Sequence, residues 1–494
     1  MDPEVSQPGK RSLKSALTRG SLWSAVGYAG SQAIRLGGHL ILWRLLYPKA
    51  FGIMAIVNVF MQGLQMFSDV GIGPSIIQHK RGDDPTYLNT AWTIQAIRGL
   101  ALFVASAVAA APLARFYDEP QLAYLIPVVG LGAAIAGLNS TNLFAVVRKI
   151  SLGRLTVIDL SSQVAGLIVM VGWAYIYRSI WGLAVGSVVT NVARLIMGHL
   201  MLPGIKNRPL WDAGSARTLL RFGRWIFLST LLTFAVGQSD RLIFGKLVPI
   251  ELLGVYSIAT IWSGLPTAIL ERVFSSVLFP VLSRIHNAGG NFQAAFREVR
   301  TPSLLVAGWM SACLVAGGPT LVRFLYDTRA TDAGWIVQTL AAGTWFLTLE
   351  TTNGTALLAQ GKANWVAIGS ASKLVGMAVA IPVGFALGGF RGAVYGFAAS
   401  ELCRYVASVM GALTIDLRGY GQDLQLSAVL AATAGMGWLA GQGAHSLLAT
   451  FAVGHPRQVA FLEGVIILLV AGAGWAGLYL FHRARRRHTP SVLD

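Results

Sequence analysis

Apolar blocks of about 20 residues recur along the whole chain, separated by short stretches rich in charge, glycine or proline. A helix rising 1.5 Å per residue needs that length to cross a hydrocarbon layer about 30 Å thick. A backbone in that layer must satisfy its own polar groups, so the spacing dictates helices and excludes a chain of soluble domains. The surface arithmetic agrees. Charged residues make up only 12% of the 494 and apolar residues 54%, with a mean hydropathy of +0.60. That is about half the charge of an ordinary globular surface. The chain is read as an all-α, multi-pass membrane protein.

Blocks between breaks place spans near 22–46, 51–72, 90–112, 122–146, 156–177, 180–202, 225–248, 253–271, 302–325, 335–358, 364–388, 392–415, 425–448 and 459–481. The basic residues test this map independently. With the N-terminus in the cytoplasm, 24 of the 39 Lys and Arg fall in inner segments, 7 in outer ones and 8 within spans. The positive-inside rule therefore puts both termini in the cytoplasm, as an even number of spans requires. The net charge of +18 is explained by topology, since the basic residues gather on no soluble module and nucleic acid is not a partner. Residues 1–20 are polar and basic, and the apolar run after them carries Arg35, as a retained first span does rather than a cleaved signal peptide.

The expected organisation follows from these breaks: a cytoplasmic N-terminus at 1–20, a six-helix bundle at 21–203 and a linker at 204–224. A second six-helix bundle spans 225–415, two further helices 416–481, and a basic tail 482–494. A shift of 202 residues lays the first two spans on the seventh and eighth: Trp23 meets Trp225, Arg44 meets Lys246, and Gly52-Ile53 meets Gly254-Val255. Six spans per repeat give both halves the same orientation, a parallel repeat of the kind secondary transporters use. The inner stretch 272–301, with Leu278, Leu282, Phe292 and Phe296, reads as an interfacial amphipathic helix pair.

Polar residues align at helical spacing inside several spans. Tyr28, Gln32, Arg35 and His39 share a face of the first; Asn58, Gln62, Gln65 and Asp69 share a face of the second. Such faces must meet protein or water. Arg35, Arg98 and Arg194 lie deep with no acid three or four residues away, so they hold a bound anion or pair with an acid of another helix, such as Asp159 or Asp240. Together with Gln32 and Gln62 they are the candidate substrate-binding residues. Asp240, Arg241, Glu350, Asp69 and Glu271 are candidates for ion coupling or gating, with Asp69 and Glu271 expected to pair with inner-face arginines. Glu401 and Arg404 are expected to pair along one helix, and Arg44 and Lys246 to snorkel to the interface. Two cysteines inside apolar blocks offer no disulfide framework or metal site, and no nucleotide-binding loop or hydrolase motif occurs. No catalytic residue, metal or cofactor is expected, and the short outer loops disfavour an enzyme.

Several runs resemble polysaccharide transporters of the Wzx type. They are Leu46-Tyr47-Pro48-Lys49-Ala50-Phe51-Gly52, the span-2 ending Phe67-Ser68-Asp69-Val70-Gly71-Ile72-Gly73-Pro74, and Asp240-Arg241-Leu242-Ile243-Phe244-Gly245-Lys246-Leu247. Leu278-Phe279-Pro280-Val281-Leu282-Ser283-Arg284 is similar too. The family belongs to the multidrug/oligosaccharidyl-lipid/polysaccharide flippase superfamily, which also holds multidrug extruders and lipid II flippases. The resemblance implies two six-helix bundles in a V around a central cavity, plus two C-terminal helices, in the bacterial inner membrane. It also implies alternating-access export of undecaprenyl-pyrophosphate-linked oligosaccharide repeat units for surface polysaccharide, with membrane lipid, a polymerase and a chain-length regulator as partners. The rival readings are an ion-coupled drug or metabolite exporter and a polysaccharide polymerase or ligase.

Overall fold

The structure is a computed structural model that describes residues 10–69, 71–148, 152–451 and 456–486. The expected N-terminal segment before Lys10, Val70, Lys149 and the basic tail from Arg487 on lie outside the described residues. So do the side chains of Arg221, Arg224, Trp225 and Arg272.

The described chain is helical. Its first part holds α1 (Lys10–Leu45), α2 (Pro48–Phe67), α3 (Ile72–Gln78), α4 (Pro85–Phe116), α5 (Leu122–Gly137), α6 (Asn142–Arg148), α7 (Leu152–Tyr177), α8 (Trp181–Met201) and α9 (Ala213–Leu247). There follow α10 (Ile250–Ser263), α11 (Leu265–Val273), a π turn at Phe274–Leu278, α12 (Phe279–Asn287) and α13 (Phe292–Leu325). The rest is α14 (Ala333–Ala359), α15 (Ala363–Leu413), α16 (Tyr420–Phe451) and α17 (Pro456–Arg486). Eight of these helices are long and apolar enough to cross a membrane, ten if the bent pairs α5–α6 (61°) and α10–α11 (44°) each count as one span. The 51-residue α15 holds two spans, because Gly388 and Gly389 leave helical geometry between them. Gly389 sits at φ 57°, ψ −141°, a backbone that a residue with Cβ rarely adopts. The remaining spans read from sequence fall on α1, α9 and α14, whose polar residues dilute their hydropathy. The repeat shows in the boundaries: Leu45 and Leu247 end their helices 202 apart, and Pro48 and Ile250 begin theirs 202 apart.

The chain forms two compact units, residues 1–234 with 241–251, and residues 235–240 with 252–494. In the first, small residues let helices approach closely, as helices in lipid require. A Cβ on Gly99 of α4 would lie 2.9 Å from Gly137 Cα of α5, and one on Gly166 of α7 2.7 Å from the Gly186 carbonyl of α8. The bend after α5 frees its last carbonyls inside the bundle. Gln95 Nε2 donates to those of Ala136, Gly137 and Asn139 at 3.1–3.3 Å, and Trp92 Nε1 to that of Leu138 at 3.1 Å.

The linker is shorter than expected. Helix α9 begins at Ala213, and the extended stretch before it is tied down rather than free. Asn207 bonds Ser140 and Thr141, Asn142 donates to the Ile205 carbonyl, and the Arg208, Leu210 and Asp212 amides donate to Asn89, Thr93 and Thr90. Asp212 then caps α9 by accepting from the Ser215 amide at 2.7 Å.

In the second unit, Phe274, Leu278, Leu282, Phe296, Trp345 and Trp475 share one buried core. Two sequence expectations change here. Along the stretch 272–301 Leu278 and Leu282 are buried in protein while Val277 and Phe279 are exposed, and α13 starts at Phe292, where Asn291 accepts from the Ala294 amide. Arg300 therefore sits inside a helix, fully buried, and pairs with Asp423 of α16. Tyr405 of α15 donates to the same carboxylate at 3.0 Å, and Arg300 lies over the Phe296 ring at 4.6 Å. Finally, the two further helices, α16 and α17, are built into this unit, since Leu426, Leu430 and Trp475 complete that core.

Breaking a buried pair from one side leaves an uncompensated charge and costs about 3–5 kcal/mol. Arg300→Met should therefore cause a large loss of thermal stability in detergent, and the double variant Arg300→Met, Asp423→Leu should recover most of it. Bonds from the Ser215 side chain and amide hold the Asp212 carboxyl below its usual range. Its contribution to the cap is present above about pH 3.9, the unfolded value, and is lost as pH falls through the depressed folded one. Protection of the Ser215 amide from exchange should drop below pH 4, and Asp212→Asn should remove that pH dependence while keeping the cap.

Candidate functional site

The polar face of α1 begins with Gln32, whose Nε2 donates to Tyr28 Oη at 3.1 Å. One turn on, Arg35 is exposed, and it makes no ion pair or hydrogen bond with any described residue. Its charge is felt at His39, which packs against Phe51 with ring centroids 4.9 Å apart. Arg35 lies ten residues before the end of α1, about 15 Å along the axis. On α2, Asn58, Gln62 and Gln65 are exposed on one face, and Gln62 reaches only the Met66 sulfur at 3.8 Å.

The other deep arginines are committed elsewhere in the same unit. Arg98 of α4 closes the C-terminus of α2: Nη2 donates to the Gln65 carbonyl at 2.5 Å and Nε to Ser68 Oγ at 2.9 Å. Helix C-termini present carbonyls without partners and a partial negative charge, so a guanidinium there is stabilised twice. Arg194 of α8 meets Asp159 of α7 at 3.0 Å. Asp69 pairs with no arginine among the described residues; its carboxylate turns back onto the Gly71 amide at 2.9 Å. Lys246 is anchored at its helix end: Nζ bonds the Phe116 carbonyl at 2.6 Å and Asp118 at 2.9 Å, while Lys49 pairs with Glu119 at 2.5 Å. Arg241 reaches into other interactions of its own.

The second unit concentrates acids and bases where α14 meets both arms of α15. Arg404 lies 3.2 Å from Glu350, and Lys373 donates to Glu401 at 2.5 Å. Sequence reasoning pairs Glu401 with Arg404 along one helix. The chain reversal at Gly388–Gly389 instead brings Lys373 against Glu401, and α14 supplies the acid for Arg404. Glu350 also feels the charges of Glu401 and Lys373, and the exposed Glu271 feels Arg404. Three carboxylates thus face two cations. Oε2 of Glu350 and of Glu401 accepts no hydrogen bond from described residues. Asp240 stands apart, buried and accepting from Tyr256 Oη at 2.6 Å. Among the described residues no group of His, Cys, Asp and Glu is placed to hold a metal ion. Two pairs escaped the sequence reading altogether, Arg300–Asp423 and Arg323–Glu463, because partners more than 100 residues apart leave no local spacing.

This division of labour predicts a clear contrast. Arg194→Met should lower the melting temperature in detergent, and exchanging charges as Arg194→Asp, Asp159→Arg should restore part of it. Arg35→Met should leave melting unchanged.

The family model described as "Polysaccharide biosynthesis protein" matches residues 41–333. The succinoglycan biosynthesis transport protein ExoT of Rhizobium meliloti is 23% identical over 307 residues, 62% of this chain and 62% of that protein. The lipopolysaccharide biosynthesis protein WzxC of Escherichia coli is 22% identical over 281 residues, 56% of each. The matches thus span less than two thirds of these relatives' length. Among solved structures, the lipid II flippase MurJ in an inward closed conformation superposes with a TM-score of 0.70 at 12% identity, covering 94% of this chain and 99% of that one. The likeness shows a common fold, the one that the motifs around the first, second, seventh and eighth spans imply. By the extent and position of the family match, this multi-pass membrane chain belongs to the polysaccharide biosynthesis protein family.

Proposed function

We propose that the protein carries undecaprenyl-pyrophosphate-linked oligosaccharide repeat units from the inner to the outer leaflet of the bacterial cytoplasmic membrane, by alternating access, for surface or exopolysaccharide synthesis. The observation that carries this reading is Arg35. An exposed cation in the middle of a spanning helix, without a counter-charge among the described residues, needs water or an anionic guest. Its guanidinium fork matches the paired oxygens of a phosphate. The exposed amides of Gln62 and Gln65 on α2, with the half-buried Gln32 beside Arg35, suit a sugar head group, which offers hydroxyls that both donate and accept.

The membrane potential favours the outward step. An anion moving from the negative side gains about 2.3 kcal/mol per charge for each 100 mV crossed. Coupling to a cation in the opposite direction falls to the acid-rich cluster of Glu350, Glu401 and Glu271, with Asp240 the alternative. A carboxylate in excess of its basic partners is the group that can take up and release a proton or sodium ion. The polymerase and the chain-length regulator act on the product once it has crossed.

Cells lacking the protein should accumulate single lipid-linked repeat units on the cytoplasmic face and lose surface polymer. Arg35→Ala should reproduce that loss at least tenfold with normal protein level and membrane insertion. Normal polymer from this variant would reject Arg35 as the anion site. Unchanged lipid-linked sugars with altered drug sensitivity would replace the reading by a drug exporter.

A further inference from the structure

Outside the polar residues assigned above, the second unit carries a long apolar groove between α13 and α17, with a volume of about 290 Å³. It runs from Cys313 to Phe324 on α13, eleven residues or about 16 Å of helix. Phe324 and Phe461 form a wall at one end, with ring centroids 5.6 Å apart, and both are exposed. The lining contains one hydroxyl, that of Thr320, and it is already spent on Glu463 at 2.8 Å. Nothing polar in the groove is left for water to bond.

Two glycines make the groove. Gly317 of α13 and Gly464 of α17 both line it. A Cβ on Gly317 would come no closer than 3.5 Å to Ile467, and one on Gly464 no closer than 3.8 Å to Thr320. Neither glycine is therefore required by helix contact, unlike Gly99 or Gly166, and neither has a positive φ. Glycine weakens a helix interior relative to alanine. What its presence gains at these two positions is open space.

The groove ends at a charged device. Arg323, in the last turn of α13, donates from Nη2 to both oxygens of Glu463 at 2.8 and 3.0 Å. Glu463 is 4% exposed, whereas Arg323 is 41% exposed. The buried carboxylate holds the guanidinium through Nη2, and Nε and Nη1 have no hydrogen-bond partner among the described residues. His445 Nδ1 stands 3.5 Å from Glu463 Oε2. A guanidinium anchored through one nitrogen, with two more left to donate, is a phosphate-binding arrangement. It lies at the helix end, where a bilayer's phosphates lie.

We infer that this groove is a binding site for a membrane glycerophospholipid, one acyl chain lying between α13 and α17 and the phosphate on Arg323. A single acyl chain matches a groove of this length, and an extended undecaprenyl tail does not. The inference is independent of the proposed transport activity, because no residue assigned to substrate or coupling lines the groove.

The test is native mass spectrometry of the full-length protein, delipidated in detergent and titrated with phosphatidylglycerol. One tightly held lipid per chain is expected. Gly464→Phe fills the groove without displacing a backbone contact and should weaken that binding at least tenfold while the lipid-free melting temperature stays within a few degrees. Arg323→Lys keeps a charge for Glu463 but loses the fork, and should weaken binding several-fold. Equal lipid retention in wild type and Gly464→Phe would overturn the proposal. Displacement of the phospholipid by equimolar undecaprenyl phosphate would also overturn it, by making the groove a tail site for the polyprenyl lipid.

Discussion

An ionised side chain inside a hydrocarbon layer must meet an opposite charge, a helix end or water, and nearly every deep polar feature of this protein follows from that constraint. The protein answers it in several ways. Arg98 uses the open carbonyl end of α2 as its anion. Arg194, Arg300, Arg323, Lys373 and Arg404 each find a carboxylate on a neighbouring helix or helix arm. Since a half-satisfied charge is far more costly than a matched pair, these contacts fix which helix faces which. Against that background Arg35 stands out by chemistry alone. It is left exposed where Arg98, Arg194, Arg300, Arg323, Lys373 and Arg404 are matched.

The two units meet the constraint with different balances. In the first, the deep cations are disposed of one at a time, and the exposed remainder on α1 and α2 is a cation and several amides. In the second, charges gather in one place, and acids outnumber bases around Glu350. A guest that is both anionic and rich in hydroxyls suits the first surface. A small cation suits the second. On the proposed function, that separation would keep a large substrate and an ion from competing for the same side chains.

Much of the fold was legible in the sequence because hydropathy and the length of a span are local properties. Even the two arms of α15 were divisible, because Gly388-Gly389 separates two apolar blocks. Boundaries were less legible where a cap decides them: Asp212 starts α9 inside the expected linker, and Asn291 starts α13 ten residues early. Pairing was the least legible. Glu401 and Arg404 have the spacing of an in-helix pair, yet Lys373 and Glu350 stand closer in space, and nothing in a linear pattern reports a partner contributed by another helix. The role of α16 and α17 was missed for the same reason. Their apolar blocks were plain, but their attachment depends on Asp423 meeting an arginine that had been counted as part of a cytoplasmic loop.

That attachment has a consequence for how the protein is made. Arg300 and Asp423 are 123 residues apart, so at ordinary translation rates the arginine leaves the ribosome on the order of ten seconds before its counter-ion exists. During that interval α13 cannot settle with Arg300 buried, whatever its apolar residues favour. The second unit must therefore wait, with α13 loosely placed or its charged end still in water, until α16 is inserted and Asp423 arrives. The last two helices act as the closing step of biogenesis. A ribosome that stalls between them and the rest leaves behind a unit holding a charge it has no means to bury.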